Sequence, residues 1–308
     1  MAGEGIYSNL MRKLKEKRFV FTGELEPEKT TSLEGDFKAA EAMKEYVTAA
    51  NVTDNPQSFG YISSLVAAYL VQRETGLETI YQLTCRGRSR LALLSDILGA
   101  GALGIKNILA LTGDHTTLGD TPQAKPVYDL DSAQLIYMIR KIVDEGVDLN
   151  GNTIEHPPKF HVGGAGNPNA DPLEPEILKI ERKVNLGVEF IQTQVVFDIE
   201  TVKRFMDEVR SFNVPVLIGI FPLKSFGVAD YFDKTVPGVK VPKELLEALA
   251  KAKEIKDKKE RRRRYNEINL DYFVDFVKEI RKTTSAAGCH IMSVGYEEII
   301  PKLVESIR

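Results

Sequence analysis

The chain has 308 residues, enough for one large domain or two small ones, and 43% of them are hydrophobic, as in proteins with a sizeable buried core. Forty-one basic and forty-four acidic side chains leave a formal charge of -3, which excludes a broad electrostatic attraction to nucleic acid or to an anionic membrane. The two cysteines, Cys85 and Cys289, lie far apart in the sequence, which excludes a disulfide framework or a cysteine-rich metal site within the chain.

Apolar runs and helical patterns alternate along the chain. Leu10, Met11 and Leu14 are spaced as on an amphipathic helix within residues 1–17, which is expected to close one end of a barrel. The predicted strands are residues 18–24, 46–53, 78–84, 106–114, 159–164, 189–195, 214–221 and 289–293. The predicted helices are residues 34–46, 62–73, 88–103, 132–147, 174–186, 199–212 and 296–307, with a long helical segment over residues 242–283.

This alternation predicts a fold of the α/β class, a (β/α)8 TIM barrel with residues 1–308 as a single domain. The alternative is an open, doubly wound sheet, but the chain has no Gly-x-Gly-x-x-Gly turn after its first strand. Two polar loops, residues 115–128 and 165–172, follow the fourth and fifth strands. The composition of the first is typical of a lid or a binding loop.

The fourth predicted strand is a continuous apolar run that stops at Thr112, Gly113 and Asp114. A continuous run is typical of a parallel strand that helices cover on both faces. Gly113 permits backbone conformations that other residues resist, so the Asp114 carboxylate can point into a cavity. The alternative is that Asp114 only caps a turn.

In a (β/α)8 barrel the carboxyl ends of the strands meet at one rim, where active sites lie. The polar residues predicted at this rim are Glu24, Thr53, Gln82, Thr84, Thr112, Asp114, Gln192, Gln194 and His290. This set favours a planar ligand rich in hydrogen bonds, and no metal site is predicted. Glu24 follows an apolar strand, so partial desolvation would suit its carboxyl to a general acid, although a solvated strand-end glutamate is the alternative. Gln194 lies within an apolar run, where a ligand or the backbone could supply partners for its amide.

Seven segments, in order, resemble successive motifs of the methylenetetrahydrofolate reductase family. They are residues 24–27 (ELEP), 51–53 (NVT), 82–85 (QLTC), 109–114 (LALTGD), 181–184 (ERKV), 192–198 (QTQVVFD) and 219–226 (GIFPLKSF). Each is short, but together they cover nearly the whole chain. The resemblance implies a flavin-bearing (β/α)8 barrel, a methylenetetrahydrofolate reductase that converts 5,10-methylenetetrahydrofolate to 5-methyltetrahydrofolate by hydride transfer from N5 of the reduced flavin.

The resemblance also implies roles for single residues. Glu24 matches the general acid that protonates N10 of the folate, so that the five-membered ring opens to an iminium. Asp114 matches the acid that hydrogen-bonds the pterin and tunes the flavin, Gln194 a glutamine that contacts the pterin, and Phe226 an aromatic that stacks on the benzoyl ring or the nicotinamide. The positions that match flavin contacts are Thr53, Gln82, Thr112, Gly113, Asn167, Asn169, Glu176 and Lys183. Lys183 is suited to a phosphate.

The chain departs from the better-known bacterial members at Gln82 and Thr112, where those members commonly have His and Arg, and in the loop of residues 165–169. These positions handle the adenine, ribose and pyrophosphate of FAD, so the cofactor is expected to be FAD or FMN. Residues 112–115 and 125–131 are similar to the branch found in acetogenic and related anaerobic bacteria. That likeness implies NAD(P)H or a redox protein as electron donor and a small zinc-binding partner subunit, and an oligomer is expected.

Two other functions stay open: a flavin-free, pterin-binding methyltransferase barrel, and a non-catalytic subunit of a redox complex. The basic run of residues 251–264 is interpreted as a solvated helix face rather than a docking patch, because acidic residues are interspersed. His115 is a candidate ligand contact, whereas His290, Cys85 and Cys289 are expected to act in packing or through other residues. With no pattern of a secretion signal and no run of ~20 apolar residues, we expect a cytoplasmic protein without membrane contact.

Overall fold

The computed structural model describes residues 5–308. Its eight strands are parallel and close into a barrel in chain order, which confirms the predicted (β/α)8 TIM barrel. The strands are β1 Val20–Leu25, β2 Ala49–Val52, β3 Thr79–Thr84, β4 Asn107–Leu111, β5 His161–Gly166, β6 Phe190–Val195, β7 Val216–Ile220 and β8 Gly288–Ile291. Strands β2, β3 and β7 are buried at every position, as expected where helices pack on the outer face and side chains fill the inner one.

The helices cover the outside of the barrel. They are α1 Asn9–Lys15, α2 Glu34–Met43, α3 Ser64–Thr75, α4 Arg90–Ala102, α5 Ser132–Glu145, α6 Glu174–Asn185, α7 Ile199–Val209, α8 Phe226–Thr235, α9 Lys243–Lys253, α10 Lys258–Thr283 and α11 Ile299–Ile307. The long helical segment predicted before β8 is confirmed as α9 and the 26-residue α10. None of the helices in the described part of the chain is long and apolar enough to cross a membrane.

The clearest differences from the sequence predictions are one missed helix and the boundaries of two strands. Helix α8 was not predicted, because Gly227 in its first turn breaks the helical pattern; the Ser225 side chain caps it by accepting a hydrogen bond from the Val228 amide. Strand β2 begins three residues later than predicted, since the amides of Tyr46 and Val47 still bond to the end of α2. Strand β5 runs to Gly166, so the start of the predicted loop pairs with β6 instead.

The lower end of the barrel is closed by α1, as predicted from Leu10, Met11 and Leu14. All three are buried in one cluster with inward-facing side chains from six strands, namely Val20, Ala49, Ile80, Leu109, Phe190 and Leu217. The Glu78 carboxylate accepts hydrogen bonds from the Asn9 and Leu10 amides at 2.7 and 2.9 Å. A carboxylate at the N-terminus of α1 accepts hydrogen bonds from amides that have no partner within the helix. Its negative charge also interacts favourably with the positive end of the helix dipole. We call this apolar cluster the floor of the barrel.

Candidate active site

Directly above the floor, four polar side chains fill the barrel interior. Thr22, Asn51, Gln192 and His290 are buried, with exposures of 0 to 3%. Asn51 Nδ2 donates to Gln192 Oε1 at 2.8 Å, while Gln192 Nε2 donates to Asn51 Oδ1 and to Thr22 Oγ1, both at 3.2 Å. Thr22 Oγ1 lies 3.0 Å from His290 Nδ1. The four side chains therefore satisfy one another's hydrogen bonds, as buried polar groups must. We call them the polar layer.

Glu24 lies at the upper end of the polar layer. Its Oε2 is 3.3 Å from His290 Nε2, and its side chain is 13% exposed against 4% for His290. Both residues line the cavity described next. The carboxyl group is thus held from below and reachable from above, which is the arrangement that an acid acting on a bound ligand needs.

A cavity of about 710 Å³ opens above the polar layer, between the strand ends and α6. Ligand sites typically measure roughly 300 to 1,000 Å³ and combine apolar walls with a few convergent polar groups. Leu109, Leu111, Ala133 and Met292 form the apolar part of the wall. The polar part includes seven candidate residues named from the sequence, Glu24, Gln82, Thr112, Asn167, Glu176, Lys183 and Gln194.

One face of α6 brings three basic residues to the cavity, Lys179, Arg182 and Lys183. Lys183 is buried, and its Nζ donates to the Ala165 carbonyl oxygen at 2.6 Å. Burial lowers the pKa of Lys183, an effect that the nearby Glu176 carboxylate opposes. The sequence reasoning identified only Lys183; the spacing of basic residues at positions i, i+3 and i+4 was the signal that could have added the other two.

Gln194 lines the cavity because the strand pairing next to it is irregular. The pairing of β6 with β7 shifts register between Gln192 and Val195, and Gln194 is exposed rather than enclosed in the apolar run. Its Oε1 accepts a hydrogen bond from the Val195 amide at 2.8 Å. A side chain on Gly219 of β7 would lie 2.4 Å from the Thr193 carbonyl oxygen, so the irregular pairing depends on glycine there. The expectation of a core-like setting for Gln194 was wrong.

Two residues matched to the substrate lie outside the cavity lining. Asp114 is exposed, and its Oδ2 accepts a hydrogen bond from the Gln57 amide at 2.9 Å. Phe226 is half-buried at the start of α8, with the Lys253 ammonium 5.2 Å from its ring centre. Gly113 adopts a φ of +89°, so the backbone freedom inferred for it is used.

Three further residues matched to the flavin contact other parts of the rim. Thr53 is buried, and its Oγ1 has no hydrogen-bond partner within residues 5–308. Asn169 spans from the β5 loop to β6, where its Nδ2 donates to the Val195 carbonyl oxygen at 2.8 Å. Thr112 lines the cavity and accepts a hydrogen bond at Oγ1 from the Ser132 amide at 3.1 Å, which helps to start α5.

Sequence reasoning passed over Glu26 as a titrating group. Burial, together with repulsion from Glu24 and Glu28, raises the pKa of Glu26 to about 7, while Lys224 acts in the opposite direction. The sequence contains the reason for this raised pKa. Three glutamates lie within a five-residue stretch at the end of a buried strand, and their negative charges repel one another. His290 was expected to act through other residues, and its contact with Glu24 was not foreseen.

The remaining candidates have simpler roles. His115 is exposed, and its ring nitrogen accepts a hydrogen bond from the Thr117 amide at 3.3 Å. Both cysteines are buried and unpaired. In the basic run, Arg264 pairs with Glu267 at 3.0 Å and Arg262 with Glu298, and the interpretation as a solvated helix face rather than a docking patch stays a prediction. Within residues 5–308, no three His, Cys, Asp or Glu side chains are grouped to hold a metal ion.

The closed parallel barrel and the cavity at the carboxyl ends of its strands define a (β/α)8 barrel protein with a ligand site at the upper rim. A finer assignment comes from comparison with known families. The family profile described as "Methylenetetrahydrofolate reductase" matches residues 9–308, and the chain belongs to that family.

Curated relatives carry the same description at low identity. A probable methylenetetrahydrofolate reductase (NADPH) of Caenorhabditis elegans is 24% identical over 80% of this chain and 34% of that protein. A 5,10-methylenetetrahydrofolate reductase of Pectobacterium carotovorum is 27% identical over 56% of this chain and 52% of that protein. The matched part of the chain therefore spans only about a third to a half of the length of these relatives.

Solved structures share the fold. An uncharacterized protein from Clostridium thermocellum, described as binding two copies of 5-methyl-5,6,7,8-tetrahydrofolic acid, aligns over 97% of both chains with a TM-score of 0.63 and 16% identity. DmoA from Hyphomicrobium sulfonivorans aligns over 94% of this chain and 86% of its own, with a TM-score of 0.54 and 8% identity. Likeness at this level of identity shows the barrel fold alone.

Proposed function

We propose that the protein reduces 5,10-methylenetetrahydrofolate to 5-methyltetrahydrofolate with a bound flavin, and that Glu24 is the general acid. The observation that carries the proposal is the Glu24 carboxyl, 13% exposed in the cavity wall and 3.3 Å from His290, in a chain of the methylenetetrahydrofolate reductase family. The C. thermocellum barrel described as binding 5-methyl-5,6,7,8-tetrahydrofolic acid supports the class of ligand, because that molecule is the product of this reaction.

Glu24 would give its proton to N10 of the folate, so that the bond between N10 and the bridging carbon breaks and the carbon becomes an electrophile. A carboxylic acid suits this step because the ring nitrogen leaves as a neutral amine only if it is protonated. Gln194 would orient the pterin through its exposed amide, whose Oε1 is already held by the Val195 amide. Asp114 and Phe226 stay proposed substrate contacts, and both would have to turn toward the cavity from their present positions.

The cavity has the features that a flavin needs. The isoalloxazine ring requires an apolar surface, which Leu109, Leu111 and Met292 provide, and hydrogen-bonding groups at its edges, for which Gln82 is available in the wall. Thr53 lies outside the cavity lining, one residue beyond the end of β2, and its Oγ1, which has no partner within residues 5–308, is a further donor of the kind that a ring oxygen or nitrogen accepts. When bound, the reduced flavin supplies the hydride.

The basic face of α6 is suited to the flavin phosphate. Lys183 would hold that group, with Arg182 and Lys179 beside it and Glu176 and Asn167 at the edge of the same wall. A compact ammonium shielded from water is a favourable partner for phosphate oxygens. Asp131 and Thr112 also line this part of the cavity.

The function is tested by anaerobic reaction of the flavin-reconstituted protein. The protein is incubated with FAD or FMN, freed of excess cofactor, reduced with dithionite and mixed with 5,10-methylenetetrahydrofolate, so that the result does not depend on the natural donor. We expect the flavin absorbance to return as one equivalent of 5-methyltetrahydrofolate forms. A protein that binds folate but retains neither flavin would overturn the proposal in favour of a methyltransferase barrel, and one that retains flavin without reacting would point to a non-catalytic subunit.

A further inference from the structure

The polar layer beneath Glu24 contains a row of hydrogen-bond contacts that ends at the Glu24 carboxyl. Gln192 Nε2 is an amide nitrogen and can only donate, so Thr22 Oγ1 is the acceptor of their 3.2 Å contact. The single hydrogen of the Thr22 hydroxyl is then free to point at His290 Nδ1, 3.0 Å away. If the hydroxyl donates to it, His290 Nδ1 is the acceptor; in the other tautomer an Nδ1–H would donate to the second lone pair of Thr22 Oγ1.

An imidazole that accepts at Nδ1 carries its hydrogen at Nε2 when it is neutral. His290 Nε2 faces Glu24 Oε2 at 3.3 Å, so in this tautomer the oxygen would accept the imidazole N–H. The donors would then run in one direction, from Gln192 through Thr22 and His290 to Glu24.

Gln192 is held in place by Asn51. Asn51 and Gln192 form a reciprocal pair, in which each amide donates to the oxygen of the other at 2.8 and 3.2 Å. Both side chains are at most 3% exposed, so turning one amide alone would leave buried donors facing each other. With Gln192 Nε2 toward Thr22, as in this structure, the Thr22 hydroxyl hydrogen is available to His290.

We propose that His290 is a positioning residue that occupies Oε2 of Glu24 as a hydrogen-bond donor, so that the acidic proton is carried on Oε1, the oxygen left to face the ligand. The inference deepens the proposed function, because it assigns the reacting oxygen of the proposed acid. Orientation of the proton matters, since an acid turned away from the accepting nitrogen cannot transfer its proton without first rotating.

The test uses nitrogen NMR of the imidazole rings and one pair of variants. The chain has four histidines, so the His290 signals can be assigned by comparison with His290→Asn. We expect the neutral His290 of the parent protein to show an unprotonated Nδ1 and a protonated Nε2. Thr22→Val keeps the shape of the side chain but removes the hydroxyl, and should shift His290 toward the other tautomer. Thr22→Ser keeps the hydroxyl and should preserve the parent signals.

The same pair of variants gives a rate readout. With the reduced holoprotein, Thr22→Val should slow folate reduction about tenfold, within the range that a misaligned catalytic group costs, while Thr22→Ser stays near the parent. Flavin affinity should be equal in all three proteins. A neutral His290 that carries its hydrogen at Nδ1 in the parent, or a Thr22→Val protein with the parent tautomer and rate, would overturn the inference.

Failure of the inference and failure of the function are distinguishable. The tautomer is measured in the protein without folate, so it does not depend on any reaction. If Glu24→Gln reduces folate at the parent rate, the proposed acid is wrong whatever the NMR shows. If Glu24→Gln is slow but Thr22→Val and Thr22→Ser behave alike, only the role of His290 is wrong.

Discussion

The floor and the polar layer are built by the same strands but differ in character. Strand β1 gives Val20 to the floor and Thr22 to the layer above, and β6 gives Phe190 and then Gln192. Because alternate residues of a strand face the barrel interior, two residues of sequence separate a packing position from a position near the cavity. A single short strand therefore supplies one side chain to the packed floor and another to the polar layer beside the cavity. The position of each side chain along the barrel axis decides its role.

The two layers hold their side chains in different ways. The floor excludes water by close packing, and the Phe190 ring takes the space that Gly163 leaves, since a Cβ there would lie 2.4 Å from the ring. The side chains of the polar layer are instead held by hydrogen bonds to one another, at distances of 2.8 to 3.2 Å. Substitutions in the floor should therefore mainly lower the free energy of unfolding, and substitutions in the polar layer should mainly lower the reaction rate.

Phe190→Ala should give the largest effect, a loss of about 3 to 5 kcal/mol in the free energy of unfolding, because the buried ring leaves a cavity at the centre of the barrel. Urea denaturation of the two proteins measures it. Phe190→Leu is the matched control and should lose much less, since it refills most of the volume. Equal losses for the two variants would show that the floor is not tightly packed.

Glu24→Gln should slow folate reduction by at least about 100-fold, the lower end of what a general acid contributes, and leave flavin binding and unfolding free energy near the parent values. Stopped-flow reoxidation of the reduced holoprotein gives the rate. Glu28→Gln is the control, because it removes an exposed carboxyl four residues away. If both variants react alike, the difference in function between the two layers is not supported.

Lys183→Met should weaken flavin binding by roughly 10- to 100-fold, as expected for the loss of a charge-assisted hydrogen bond to phosphate. The buried ammonium should matter more than Lys179, whose side chain is 70% exposed, so Lys179→Met is the matched variant. Titration of flavin fluorescence measures both affinities. A larger loss for Lys179→Met would place the phosphate farther out on α6.

Glu26→Gln should give the smallest effect, and one that depends on pH. Burial and neighbouring acids raise the pKa of Glu26 to about 7 from its ordinary 4.5, so the fold favours the neutral acid. Its contribution to stability is complete below about pH 4.5 and is lost as the pH rises through 7. Relative to the parent, the variant should gain about 1 kcal/mol at pH 8 and little at pH 5, after allowance for solvent screening of a half-buried group. A gain of the same size at both pH values would contradict this account.

The barrel could be predicted from the sequence, because the residue patterns that indicate its strands and helices are local. Continuous apolar runs such as the one in β4 and their alternation with helices fix the strand number, and α1 was correctly expected to close one end. Helix α8 was missed because Gly227 weakens a short pattern, and the extension of β5 to Gly166 because a glycine-rich strand looks like a loop.

The candidate site could be predicted only in part, because its arrangement depends on contacts between strands on different sides of the barrel. Glu24 and His290 are 266 residues apart in sequence, so no spacing rule connects them. The exposure of Gln194 follows from a register shift, which a single-strand pattern does not reveal. The loop contact that holds Asp114 depends on a Gln57 backbone with a φ of +51°, a conformation that its residue type does not suggest.

The central claim is that the polar layer holds Glu24 against a bound folate. A crystal structure of the oxidised holoprotein with 5-methyltetrahydrofolate tests it most directly. The account predicts N10 of the folate within about 3.5 Å of Glu24 Oε1, with His290 Nε2 on Oε2. A folate bound elsewhere on the barrel, or a Glu24 carboxyl turned away from it while His290 contacts the ligand instead, would contradict the account.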